Sequence, residues 1–116
     1  MIFFFLFLQG VANPDNVAYM QDFDTLLIAE DTKNHENNVL WAYHFEESSP
    51  LERIFVAPLG AEVTSPYLHK LKDFFYISIT AQHPYESNQF IYSTASTGKA
   101  GYVGYLGPID MNPPKN

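Results

Sequence analysis

The chain contains no cysteine. That excludes disulfides, thiolate metal sites and thiol nucleophiles, and leaves the redox compartment undetermined. Positive charge is scarce. Six Lys and Arg stand against 13 Asp and Glu, a formal net charge of −7. The single arginine is Arg53. A nucleic-acid partner is disfavoured, because its phosphates have to be met by lysine and arginine. A long apolar run is missing too. Met1 to Leu8 reads Met-Ile-Phe-Phe-Phe-Leu-Phe-Leu, far short of the roughly 20 residues that span a bilayer. It lacks a basic n-region and a small-x-small cleavage site, so it does not read as a signal peptide. Helical periodicity is absent from every stretch, so no helix is expected.

What is present suits strands. The chain has 116 residues, enough for one small domain. It is 47% hydrophobic and 16% aromatic, so it can bury a core. Tyr, Phe, Val, Ile and Thr recur, punctuated by eight prolines and six glycines. Residues 1–10 read as an apolar strand, 11–110 as the main body and 111–116 as a tail.

The chain is organised around Asn13-Pro14-Asp15-Asn16, which leads into short strands at Val17–Met20 and Thr25–Ala29. Val39–His44 and Leu51–Ala57 follow, the latter with Glu52 and Arg53 outward and Ile54 and Val56 inward. Four strands in about forty residues, joined by short turns, make one antiparallel unit. The design returns about 48 residues later. Gly60-Ala61-Glu62-Val63-Thr64 opens a strand over 63–68, broken or edged by Pro66. A turn over 69–73 leads to Phe74–Thr80, whose lack of charge implies burial on both faces. Tyr19 then matches Tyr67, Asp24 matches Asp73, and Ile28 matches Ile77. Residues 87–99 read as a polar loop and 101–106 as a strand. Short strands repeating at 40–50 residues are the signature of propeller blades. The fold class expected is all-β: about two antiparallel blades of a β-propeller.

The acidic groups suggest a chemistry. Calcium takes six to eight oxygen ligands from carboxylates, amides and carbonyls. Asp15 with Asn13 and Asn16 is such a set on one turn, although Asn and Asp also cap turns through their own backbone. Glu62 stands between Ala61 and Val63, and a buried carboxylate has to be paired or hold a metal. Glu30 and Asp31 end a strand, as a solvated turn or as ligands. His83 before Pro84 is a metal or phosphate partner, or a histidine bonded to backbone. Other candidates fall away. His35-Glu36 has no second ligand at helical spacing for zinc. Gly98-Lys99 lacks the first glycine of a phosphate loop. Ser48, Ser49 and Ser65 have no glycine elbow.

Several motifs come in a recognisable order. They are Asn-Pro-Asp-Asn at 13–16, Leu-Ile-Ala-Glu-Asp-Thr at 27–32 and Asn-Asn-Val-Leu-Trp-Ala-Tyr at 37–43. Ala-Pro-Leu-Gly-Ala-Glu-Val-Thr at 57–64, Gln-His-Pro at 82–84 and Ala-Gly-Tyr-Val-Gly-Tyr at 100–105 follow. Over roughly residues 11–108 the chain resembles the C-terminal part of the PhoX family of alkaline phosphatases. The resemblance implies a secreted β-propeller, periplasmic or extracellular, that hydrolyses phosphate monoesters with calcium and iron. It implies that this chain corresponds to a fragment, the last two blades or so. The family's iron-binding cysteine and most of its phosphate-binding basic residues lie in earlier blades and have no counterpart here. The isolated chain is therefore expected to be inactive. A non-catalytic calcium-binding or interaction module is the alternative, with a lactonase-like calcium propeller as a third reading. Two blades cannot close a ring, so self-association through uncovered faces is also expected.

Overall fold

Runs rich in Val, Ile, Leu, Tyr and Thr, bounded by Pro, Asn, Asp and Gly, become strands because branched and aromatic side chains pack well on a pleated surface. The computed structural model describes residues 10–46, 48, 51–84, 101–110 and 112. They form seven strands: β1 (Pro14–Met20), β2 (Thr25–Glu30), β3 (Val39–His44), β4 (Leu51–Val56), β5 (Glu62–Leu71), β6 (Phe74–Gln82) and β7 (Tyr102–Asp110). Two antiparallel sheets result, ordered β1-β2-β3-β4 and β5-β6-β7. The fold is all-β. The only helical piece among the described residues is a 3-10 turn, Gln21–Phe23, between β1 and β2. No helix there is long and apolar enough to cross a membrane.

The sheets share one core. Leu27 and Ala29 of β2 pair with Ala42 and Leu40 of β3 and point to the same face. They meet Val63, Ile77, Ile79 and Ala81 of the second sheet, with Met20, Ala57 and Ala61 completing the cluster. The opposite face of β2 is covered as well, so Ile28 and Glu30 are also buried. Pro58-Leu59-Gly60-Ala61 carries the chain from one sheet to the other. Ala61 N–H closes that turn on Pro58 O at 3.0 Å. Gly60 takes φ 70° there, the conformation that third turn positions reserve for glycine.

β1 and its turn also touch β5 at a constant offset. Asn16 is hydrogen-bonded to Thr64, 48 residues on. Lys70 Nζ reaches Asp22 Oδ2 at 3.3 Å, again across 48 residues. A constant offset means that β1 with its turn and β5 run side by side in the same direction.

Some expected details differ. β5 extends to Leu71, so His69–Leu71 is strand rather than turn. A bulge at Ser65 and Pro66 absorbs the proline that was expected to break it. β6 alternates between buried and half-exposed residues. Only its Phe75, Ile77, Ile79 and Ala81 face the core, because among the described residues no second layer covers Tyr76 and Ser78. In β4 the bulge opposite Leu40 and Trp41 turns the strand, leaving Val56 52% exposed rather than inward. Ile77 joins the shared core and Ile28 does not, so these two are not equivalent. The residue matching Asp24 (φ 45°) at the hairpin turn is Lys72 (φ 55°) rather than Asp73. The apolar strand expected over 1–10, apart from Gly10, lies outside the described residues. The loop over 87–99 does too, as does all of the 111–116 tail except Asn112.

Candidate functional site

Glu30 ends β2 with its side chain fully buried, at 0% exposure. Four groups converge on it. Ala12 N–H donates to Oε1 at 2.9 Å, and Trp41 Nε1–H to the same oxygen at 2.7 Å. Val39 N–H donates to Oε2 at 3.0 Å, and His35 Nδ1 lies 3.0 Å from that oxygen. A carboxylate's two oxygens offer about four acceptor positions, and here three N–H groups and the His35 ring nitrogen fill them. The result joins segment 10–12, the loop after β2 and the start of β3. Glu30 is thus neither a solvated turn residue nor an open ligand. Its neighbour Asp31 is exposed, with its N–H on Asn13 O at 3.2 Å.

Asn38 does the same work next to it. It is 3% exposed. Its Oδ1 accepts Thr32 N–H at 3.0 Å, and its Nδ2 donates to Ala61 O at 2.8 Å. Ala57 N–H bonds Asn38 O at 2.8 Å, and Asn37 Nδ2 bonds Ala57 O at 2.9 Å. The loop before β3 therefore clasps the crossover between the sheets. Buried backbone groups need such partners.

The remaining candidates lie at the starts of β1 and β5. The register of β1 slips between Pro14 and Asn16, making Asp15 the extra residue of a bulge. Asp15 and Asn13 are exposed. The bulge of β5, at Ser65 and Pro66, faces it. Asn16 Oδ1 bridges the two, accepting Thr64 Oγ1–H and, at 2.9 Å, Ser65 N–H. Glu62 opens β5, half-buried and paired with Gln82. His83 follows β6, exposed with φ 49°. The structure thus brings Asn13, Asp15 and Asn16 beside the strand that Glu62 opens, and sets Glu30 in a separate hub. Among the described residues no group of three His, Asp or Glu side chains gathers to hold a metal.

Sequence reasoning missed the roles of His35, Asn38 and Trp41. The available signal was composition: Glu, Asn and Trp within a dozen residues between two apolar strands. A second polar chain was also missed. Thr25 Oγ1 bonds Phe23 O at 2.8 Å and lies 2.9 Å from His44 Nδ1, while His44 Nε2 lies 3.5 Å from Glu52 Oε2. Thr25 is buried, while the Glu52 end of this hydrogen-bonded series is exposed. At the exposed β1–β2 turn, Tyr19 OH donates to Asp24 Oδ1 at 2.6 Å. That bond, with smaller contributions from desolvation and the Asp24 charge, raises the Tyr19 pKa above its ordinary value.

The class these features define is an all-β protein of two packed antiparallel sheets, clasped by buried polar side chains. No protein-family model, curated protein or solved structure matches the chain.

Proposed function

We propose that this chain is a two-blade propeller portion of a PhoX-like phosphomonoesterase, supplying calcium ligands to a site that further blades complete. One observation carries the reading. The first strands of both sheets run side by side, and their bulges face each other through Asn16 at the ends where Asp15 and Glu62 stand. Bulges recur next to active sites because they re-aim side chains, and parallel neighbouring first strands suit consecutive blades.

The donors fit calcium in kind. Asp15, Glu62 and the Asn13 amide offer the hard oxygens that calcium takes. Asn16 Oδ1 is engaged in holding the strands together, and Glu30 in holding the sheet, so both act as supports. These donors fall short of a full shell, and nothing among the described residues assembles a distinct set for iron. In such enzymes, bound metal ions neutralise charge on the phosphoryl oxygens and supply the activated nucleophile. Arg53 sits exposed on β4, at the opposite edge of its sheet from β1, so no arginine stands ready to clamp a phosphate. The isolated chain is accordingly inactive in this reading. His83 keeps its proposed role as a phosphate neighbour, and a periplasmic or extracellular location follows from the same reading.

Calorimetric calcium titration tests the proposal. The folded chain should bind calcium at roughly millimolar affinity, as partial oxygen sites do. Asp15→Asn and Glu62→Gln should each weaken it. Identical titrations of all three proteins would reject both ligands. Calcium binding without p-nitrophenyl phosphate turnover is expected of the isolated chain. Turnover that disappears in Glu62→Gln would show that the site is complete here.

A further inference from the structure

Sheet edges are normally guarded, because their free N–H and C=O groups template the addition of another strand. Each of the four edges here carries guards over part of its length. β1 has Pro14 and the Asp15 bulge. β4 has exposed Glu52 and Arg53 and a bulge opposite Leu40 and Trp41. β5 has Pro66, its own bulge and Lys70. β7 differs. From Tyr102 to Leu106 it is regular, uncharged and free of proline, and it lies at the edge of its sheet among the described strands. Val103 is 74% exposed and Tyr105 66%.

An apolar groove of about 230 Å³ runs along the same stretch, floored by Ile79 and Ala81 and walled by Phe55 and Pro58. It lies on the core side of β7. Register with β6 places Tyr102, Gly104 and Leu106 on that side, and Val103 and Tyr105 on the other.

We propose that the β7 edge is a dimerisation site at which β7 of a second copy adds antiparallel, with the two-fold axis at Gly104. The strand is complementary to itself in this register. Tyr102 meets the second copy's Leu106 over the groove, and Gly104 meets Gly104 at the axis. On the other face Val103 meets the second copy's Tyr105, and aromatic–β-branched pairs of this kind favour pairing. Large residues thus alternate with small ones along the groove, and the same contacts recur on both sides of the axis, as an isologous interface requires. Charge selects the same place. Each copy carries −7, and β7 offers five residues in a row where two acidic molecules approach without opposing like charges. Main-chain bonds supply the attachment, and the groove supplies specificity for the side chains that enter it.

Gly104 makes the test clean. A Cβ added there meets nothing within 4 Å, so the single copy has room for a side chain. Gly104→Glu would place two carboxylates opposite each other at the axis, and like charges directly opposite are destabilising. Size-exclusion chromatography with light scattering should give the wild type twice the 13.2 kDa chain mass. Gly104→Glu should run at the monomer mass with an unchanged circular dichroism spectrum, and Gly104→Ala as the dimer. If Gly104→Glu does not fold, Val103→Glu puts the charge on the exposed face and should give the monomer. A wild type that runs as monomer overturns the proposal, including one whose β7 amides are protected from exchange by another part of the chain. So does a dimer that survives either glutamate.

Discussion

Removing the Glu30 carboxylate should cost more than any surface change, by an amount that depends on what replaces it. In Glu30→Gln one oxygen remains and accepts two donors as before. The new amide nitrogen is best turned toward His35 and Val39. His35 adapts by changing tautomer, presenting Nδ1 as an acceptor. Val39 N–H has no such freedom and is left facing a donor. One orphaned buried donor costs about 1–3 kcal/mol, and relief from burying a charge offsets part of it. A loss of about 2 kcal/mol is expected. Glu30→Leu keeps the volume and leaves the Ala12, Val39 and Trp41 N–H donors without their acceptor, while His35, 36% exposed, turns to water. At the same rate that is at least about 3 kcal/mol, a large share of the 5–15 kcal/mol that holds a domain together. His35→Ala combined with Glu30→Gln should lose less than the two single losses added, because both act on the same His35–Glu30 contact. Urea unfolding followed by Trp41 fluorescence measures all of this, since the indole is one of the donors. Losses under 1 kcal/mol for Glu30→Leu would refute the hub.

Asn38→Ala should lose roughly 2 kcal/mol, because two buried bonds go and Thr32 N–H and Ala61 O are both left without a side-chain partner; Asn37→Ala, losing one half-exposed bond, should lose about half as much in the same urea assay. Tyr19 should titrate above the ordinary tyrosine value, because its protonated form donates to Asp24. Its folded pKa is raised, so its contribution to stability is whole below about pH 10 and is lost as pH rises through the folded pKa. An NMR titration of the ring, with Asp24→Asn bringing the pKa back down, checks both direction and cause.

The all-β class and the four-stranded meander were legible because turn residues separate short runs of strand-forming side chains. The 48-residue offset was legible through Tyr19 and Tyr67, and it is the offset at which β1 and β5 touch; Asp24 with Asp73 and Ile28 with Ile77 did not hold. Other features depended on partners that the sequence does not point to. Glu30 points away from the shared core, and segment 10–12 and the start of β3 explain why it is buried. Val56 points outward because the β4 bulge flips the alternation, and a bulge leaves no mark in the hydrophobic pattern. Pro66 read as a break because a proline cannot donate to the ladder, whereas the bulge at Ser65 takes it out of the ladder altogether. The motif at 27–32 was legible as acidic but not as occupied. Whether a carboxylate is free depends on the donors folded around it.

The measurement that bears most directly on the central claim is paramagnetic broadening by manganese, which replaces calcium at oxygen sites. If the facing bulges of β1 and β5 hold one cation, amide signals of Asp15, Asn16, Glu62 and Val63 should broaden together at the lowest manganese concentrations. Calcium should reverse the effect, and Glu62→Gln should abolish it on both strands. Broadening confined to one strand, or spread evenly over the acidic surface, would contradict a shared site.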